Sequence, residues 1–366
     1  MGVPWLAQVR FLHLAIFAFT VLSVFVCVSY INTSTLRTTA SPLKSYLAEL
    51  QMGQGNISLS AGHNGSSEAP PQSQIISQSN HTNNTRPVLD LTRGVPAELI
   101  YEAGHIDVSS NICPDLGKNL KLLITITSAP THDSARDAIR QTWGSFARRK
   151  DVAIAFMLGS IQNETINKKL AEEQQLYGDI IRGKFVDTYD NLTLKTISIL
   201  EWVDDYCSKA AFVLKTDDDM FINVQRLLAF VTKHKSEQKI IYGRLAKKWK
   251  PIRNKKSKYY ISPQQYKPPV FPDFTTGPAY LLPGNLAKPL YLSALNHTYL
   301  KLEDVFLTGI VANGLKIKRV HAPEFLNKRV SFTPCNVQKE ISIHMVKSTE
   351  QYDLWKKLHD VAKCKK

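Results

Sequence analysis

Cysteine is scarce in this sequence: there are five in 366 residues, too few for a fold stapled mainly by disulfides. Cys27 falls in an apolar N-terminal stretch, so Cys113, Cys207, Cys335 and Cys364 remain, with three ways of pairing them. Acidic residues are also in deficit, 31 against 46 lysines and arginines, for a net charge of +15. Such an excess points to a nucleic acid, a membrane surface or an anionic substrate, and carries no information about fold. Aromatic residues are sparse between 32 and 110, where Ser, Thr, Asn, Gln, Gly and Pro prevail. That composition cannot bury enough surface to offset its ordering entropy. Charge is missing altogether from Phe11 to Ile31.

What is present starts with that last stretch. About 20 apolar residues span a bilayer as a helix, and residues 11–31 have that length. A cleaved signal peptide would have a shorter apolar core, and Cys27-Val28-Ser29-Tyr30 is a poor cleavage site. The run therefore reads as a retained anchor. Residues 1–10, with Arg10, become a cytoplasmic tail, and residues 32–112 a luminal stem. Sequons for N-glycosylation at Asn32, Asn56, Asn64, Asn80 and Asn83, and further on at Asn163, Asn191 and Asn296, agree with that address.

Residues 113–366 read as one globular α/β domain. Strand-type runs are predicted over 120–128, over 152–158 with Gly159 as the stop, over 180–186 with a break near Gly183, and over 211–216. Helices are predicted over 134–146, 164–177 and 192–206. This alternation implies a mostly parallel sheet covered on both faces. It weakens after Leu228. Residues 247–258 are strongly basic, through Lys247, Lys248, Lys250, Arg253, Lys255, Lys256 and Lys258. Tyr259, Tyr260, Tyr266, Phe271 and Phe274 follow among prolines, which suggests a functional loop or lid. Strand-type runs return at 275–282 and 341–345, and a terminal helix is predicted over 350–362.

The chain is organised around the end of the fourth run, where Phe212-Val213-Leu214-Lys215-Thr216 meets Asp217-Asp218-Asp219. Adjacent carboxylates repel, and a divalent cation that also holds a phosphate is an effective counter-charge. Open α/β sheets bind ligands at the carboxyl ends of their strands. A solvated acidic turn is the plainer reading, but apolar residues on both sides argue for a buried neighbourhood. Glu303-Asp304 is a second acidic pair and His344 a late histidine. Imidazole among oxygen ligands shifts preference from Mg²⁺ toward Mn²⁺, and a separate carboxylate can act as general base. Glu303-Asp304 equally suits the acidic first turn of a helix, and His344 a satisfied buried histidine.

From Cys113 onward the chain resembles the β-1,3-glycosyltransferases, a family of galactosyl- and N-acetylglucosaminyltransferases. Ordered segments carry the resemblance: Arg136-Asp137-Ala138-Ile139-Arg140-Gln141-Thr142-Trp143-Gly144, Phe156-Met157-Leu158-Gly159, Tyr177-Gly178-Asp179-Ile180-Ile181, Asp187 through Lys195, Lys215 through Asn223, and Glu303-Asp304-Val305. It implies a GT-A fold, a UDP-sugar donor and Mn²⁺ at the donor diphosphate. By the same resemblance, Asp219, Asp217 and His344 hold the metal. Asp217 and Asp218 serve the ribose and the metal's water shell, and Arg136, Arg140 and Lys195 contact the donor. For the two arginines, packing or salt bridging stands as an equal reading. Asp304 is implied as the base for the acceptor's 3-hydroxyl, with inversion to a β-1,3 product. Glu303, Gly277 and Tyr260 are implied in the acceptor or sugar pocket.

The resemblance further implies Cys335–Cys364 and Cys113–Cys207 bridges in an oxidising lumen, and residence in the Golgi membrane. The Glu303-Asp304 pair favours the galactosyl branch. N-acetylglucosamine is the alternative donor sugar, because Thr275-Thr276-Gly277-Pro278-Ala279-Tyr280 is poorer in glycine than the family pattern. The expected partners are a UDP-sugar, a glycan on protein or lipid, and the membrane through residues 11–31. A homo-oligomer is compatible with the resemblance, and a nucleic acid is not expected. A metal-dependent nuclease is the first rival, opposed by the anchor and the sequons. A glycan-binding module without catalysis is the second, opposed by the intact Asp219, Asp304 and His344. The basic segment 247–258 suits an anionic acceptor or a solvated lid.

Overall fold

The computed structural model describes residues 91–234, 238–361 and 364. The predicted tail, the anchor and the five stem sequons lie outside the described residues. Among the described residues no helix is long and apolar enough to cross a membrane.

The domain is built on a mixed eight-stranded sheet in the order β1-β4-β3-β2-β5-β8-β7-β9. The strands are β1 His105–Asp107, β2 Leu122–Thr127, β3 Val152–Ser160, β4 Ile180–Val186, β5 Phe212–Asp217, β7 Ile240–Ala246, β8 Phe274–Pro283 and β9 Lys318–His321. A separate pair joins β6 (Phe221–Ile222) to β10 (Ser342–Ile343). The strands β4-β3-β2-β5 run parallel. β2, β3 and most of β5 are near-continuous apolar runs because helices cover both of their faces, whereas β4 carries Arg182 and exposed Lys184. Every residue of β2 is buried. Its register sets Thr127 opposite Asp217, so two strand ends stop level with each other.

Helices α1 (Asp133–Gln141), α2 (Glu164–Tyr177), α4 (Val224–Lys233) and α6 (Ser348–Leu358) share one core cluster, which holds Trp143, Phe156 and Leu214. Helices α3 (Leu192–Tyr206) and α5 (Ala287–Leu295) share the other, with Trp202, Tyr280 and Phe306. Each fully buried side chain of this size contributes about 1.5–3 kcal/mol, so the middle of the sheet is rigid and polar chemistry is left to the strand ends. Cys113–Cys207 and Cys335–Cys364 are both disulfide-bonded.

The structure departs from the expected elements in identifiable ways. Gly159 does not end its strand; β3 passes through it to Ser160. A Cβ on Gly159 would lie 2.6 Å from the Phe185 ring and 2.8 Å from the Phe185 carbonyl. The glycine is there so that two strands can approach; β4 continues through Gly183, but its ladder with β3 slips there, Leu158 facing Arg182 and Ser160 facing Val186. The helix predicted over 134–146 stops at Gln141, where Thr142 leaves helical angles and a 3₁₀ segment continues.

Order also begins ahead of Cys113. Strand β1 pairs with β4, and the Ala97 amide donates to the His297 carbonyl at 2.9 Å. Buried Glu201 accepts from the Tyr101 hydroxyl at 2.6 Å, the Gly104 amide at 2.9 Å and the Tyr291 hydroxyl at 3.1 Å. This segment is held by polar anchoring, which hydrophobic patterning does not reveal.

Candidate active site

At the end of β5 the chain turns from apolar to ionic within three residues. Lys215 and Asp217 lie two apart on a strand and share a face. The buried Lys215 ammonium donates to Asp217 Oδ1 at 2.7 Å and to the Gly277 carbonyl at 3.0 Å, and lies 3.6 Å from Glu303 Oε2. Burial alone would lower the Lys215 ammonium, but the charges of Asp217 and Glu303 hold it above its ordinary value. Thr127 Oγ1, level with Asp217 across the parallel pair, donates to Asp217 Oδ1 at 2.5 Å. Ser128 Oγ donates to Asp218 Oδ2 at 2.7 Å, and His132 Nδ1 bonds the same oxygen at 2.8 Å. That bond raises the His132 imidazole.

The third aspartate has a different partner. The pairing of β10 with β6 brings His344 Nε2 to 3.2 Å from Asp219 Oδ2. The Val346 amide donates to the Asp219 carbonyl at 2.9 Å, beyond a left-handed turn at Met345 (φ 61°). Burial would lower His344, but its bond to Asp219 and the charges of Asp219 and Asp217 raise it. Among the described residues no three His, Cys, Asp or Glu side chains are already gathered to hold a metal. The fit to a cation rests on an imidazole nitrogen and a carboxylate oxygen close enough to be neighbouring ligands, with the Asp217 charge felt at the same imidazole. The Asp219 side chain is 47% exposed, so it is reachable from solvent. Nitrogen with oxygen donors suits a borderline ion such as Mn²⁺.

Asp304 opens a π-helical segment, Val305–Val311, an irregularity often found at functional sites. Its Oδ1 accepts from the Val305 amide at 2.8 Å and its Oδ2 from the Gly277 amide at 3.0 Å. The two readings of Glu303-Asp304 therefore merge: the pair begins a helix and also faces the strand-end carboxylates. Burial raises the Asp304 carboxyl despite those two amides and Lys215, which pull it down. Glu303 is buried against Tyr280, whose hydroxyl donates to Oε1 at 2.6 Å. Burial pushes Glu303 up to about 7, against the opposing pull of Lys215. Gly277 walls both acids: a Cβ there would meet Glu303 Oε2 at 3.4 Å and Asp304 Oδ2 at 3.5 Å.

A pH dependence follows. The folded Glu303 carboxyl titrates near 7 rather than 4.5, so between those values the native state binds its proton more tightly than the unfolded chain does. This contribution is fully present below about pH 4.5 and is lost as pH rises through 7. Glu303→Gln lacks it. Urea unfolding should show the variant gaining on the wild type by about 2–3 kcal/mol between pH 5 and pH 8. A difference that does not change with pH would contradict the assignment.

The predicted donor residues divide. Lys195 Nζ donates to the Ser128 carbonyl at 2.6 Å and lies 2.9 Å from Asp187 Oδ2, tying α3 to the end of β2. Burial lowers its ammonium in spite of Asp187. Arg136 is fully buried and donates to Glu173, Ser128 Oγ and the Ala129 carbonyl. Arg140 pairs with Glu173 and Asp179 beneath the Tyr177 ring. Both arginines take the packing role that the sequence left open: Arg136 braces the loop after β2, and Arg140 ties α1 to the end of α2 and the turn after it.

Tyr189 lies within range of the Asp304 charge and close to Tyr259, while the Tyr260 amide donates to the Ser257 carbonyl within the loop. Burial, then Tyr259, pushes the Tyr189 phenol up to about 12. Sequence reading also passed over His132, Thr127, Ser128 and Tyr280. A lysine inside an otherwise apolar strand was the available signal for Lys215. Of the described sequons, Asn163 is exposed and caps α2 through its Oδ1. The Asn191 and Asn296 amides donate to the Val186 and Leu292 carbonyls.

Carboxylates at a strand end, near a second recessed carboxylate at Asp304, suit transfer of a group from a phosphate-activated donor to a hydroxyl. Known proteins agree. The galactosyltransferase family model matches residues 134–323, more than half of the chain, and the protein belongs to that family. Human β-1,3-galactosyltransferase 5 is 35% identical over 244 residues, which cover 65% of this chain and 78% of that protein. Mouse β-1,3-galactosyltransferase 1 is 33% identical over 244 residues, covering 65% and 74%. The solved galactosyltransferase LgtC, in complex with donor and acceptor sugar analogs, overlaps 66% of this chain and 97% of its own at 10% identity and a TM-score of 0.34, a likeness too loose to bear on function. The protein is thus a glycosyltransferase of that family, using a nucleotide-sugar donor and a glycan acceptor.

Proposed function

We propose that the protein moves galactose from UDP-galactose to the 3-hydroxyl of an acceptor sugar on a glycoprotein or glycolipid, with inversion to a β-1,3 linkage. The observation that carries this reading is the Asp304 carboxylate, oriented by the Gly277 and Val305 amides beside the carboxylates that end β5. Both of its oxygens are fixed, so the carboxylate is aimed before substrate arrives. It takes the proton of the acceptor hydroxyl while that oxygen bonds to the anomeric carbon. The bond from this carbon to the diphosphate breaks, and UDP leaves from the opposite face. Asp219 and His344, with Asp217 beside them, are the residues that would hold Mn²⁺, which when bound neutralises charge on the departing diphosphate. Lys215 keeps Asp217 and Glu303 together so that the acceptor and donor sides stay in register. An anchor at residues 11–31, with the domain in the Golgi lumen, completes the proposal.

The test is UDP release and product analysis by the purified full-length chain with a panel of UDP-sugars. Added Mn²⁺ should support turnover of UDP-galactose, and a chelator should reduce it at least about a hundredfold. Turnover of UDP-N-acetylglucosamine alone would move the protein to the other branch. Glycan binding without turnover of any donor would overturn the catalytic reading.

A further inference from the structure

The basic residues of the loop between β7 and β8 have different fates. The Arg253 guanidinium is spent on the Ile261 and Tyr266 carbonyls within the loop. Lys247 lies 4.0 Å from Asp273. Lys258 is placed differently. Its ammonium lies 5.3 Å from the centroid of the Tyr189 ring and 4.9 Å from that of Tyr259. Those rings are 49% and 41% exposed. Lys258 has no ion-pair partner among the described residues. The nearest acid in sequence to Tyr189 on its C-terminal side, Asp190, is paired with Lys301 at 3.1 Å.

The location gives this cluster a use. Tyr189 begins the turn Tyr189–Asn191 that leads into α3. The Tyr299 hydroxyl donates to the Asp190 carbonyl and holds that turn against the segment just before Asp304. Two half-exposed tyrosines and a cation without an ion-pair partner therefore lie on and beside a turn tied through Tyr299 and Lys301 to the segment that leads to Asp304, with Tyr189 within range of the Asp304 charge. A pyranose presents an apolar C–H face that stacks on a tyrosine ring. An ammonium held over aromatic rings is partly stripped of water, which strengthens its attraction for an anion.

We propose that Tyr189, Tyr259 and Lys258 form an acceptor subsite for an anionic sugar, carboxylated or sulfated, next to the sugar that offers its 3-hydroxyl to Asp304. This rests on the transfer reaction proposed above and assigns the acceptor class for it. The rings take the sugar face, Lys258 takes the anion, and the exposed Lys255 and Lys256 add only general positive potential.

The test compares three acceptors of equal length with UDP-galactose as donor: a neutral disaccharide ending in N-acetylglucosamine, the same disaccharide bearing a 6-sulfate, and one in which the penultimate sugar is a hexuronic acid. The wild type should favour at least one anionic form by about tenfold in kcat/KM at low salt, with the preference shrinking as salt is added. Lys258→Gln should bring the anionic-to-neutral ratio close to one, whereas Lys255→Gln should leave it unchanged. Tyr259→Leu should lower kcat/KM for every acceptor by raising acceptor KM, with the KM for UDP-galactose unmoved. A preference for the sulfated form alone or the carboxylated form alone supports the subsite and identifies the anion. A ratio of one in the wild type, or equal losses on all acceptors in Lys258→Gln, overturns the subsite while leaving galactosyl transfer intact. No transfer to any acceptor overturns both.

Discussion

Asp304→Asn is expected to lower turnover by about a thousandfold, within the usual range for a lost general base, while the fold and the KM for donor stay near wild type. Asparagine keeps the size of the side chain, and its carbonyl oxygen can still accept from the Val305 amide, as Asp304 Oδ1 does. What it cannot do is take a proton. The stability cost should be about 1–3 kcal/mol, because the asparagine nitrogen cannot accept from the Gly277 amide as Asp304 Oδ2 does, even though burial already disfavours the lost charge. Single-turnover transfer to a saturating acceptor is the measurement, with thermal unfolding as the control on folding. A variant that keeps a tenth of the wild-type rate would place the base elsewhere. Glu303, which burial pushes up to about 7, would then be the next group to examine.

The second large effect is structural. Lys215→Met should destabilise the domain by about 3–5 kcal/mol, the usual cost of removing one partner from a buried ion pair. The ammonium serves Asp217, Glu303 and the Gly277 carbonyl at once, and a thioether satisfies none of them. Glu303 can respond by taking up a proton, so the loss should be larger at pH 8 than at pH 6. Adding Glu303→Gln to Lys215→Met removes one of the orphaned charges and should recover part of the loss at pH 8. Urea unfolding of the two single variants and the double variant gives the coupling directly. A loss below about 1 kcal/mol at pH 8 would mean that the carboxylates do not depend on this cation.

Legibility from sequence differed along the chain for physical reasons. Helices α2 and α3 match the predicted 164–177 and 192–206 in full. The signals for α2 are local ones: Asn163 caps its start and left-handed Gly178 ends it. Strands β2 and β3 were readable because burial on both faces makes them nearly continuous apolar runs. Beyond Leu228 the runs at 275–282 and 350–362 fall on β8 and the last helix, but β7 and β9 were not legible. Strand β8 inserts antiparallel between β5 and β7, and such pairing is decided by partners far away in sequence. Gly159 was misread for a related reason, since its role is set by Phe185 on the neighbouring strand.

By itself the sequence determined the alternating α/β order, the carboxylates that end β5, the acidic pair at Glu303-Asp304 and the late His344. Each of these is a property of residue type and local spacing. Tertiary structure alone decided what those groups face. Strand pairing carried His344 to Asp219, and a buried lysine joined Asp217 to Glu303. The two arginines turned inward to acids on and just after α2. Tyr259 and Tyr189, from distant parts of the chain, were brought together around Lys258. The reason is one of range: propensity and patterning act over a few residues, whereas the partner of a charge is set by register across a sheet and by which loop closes over it.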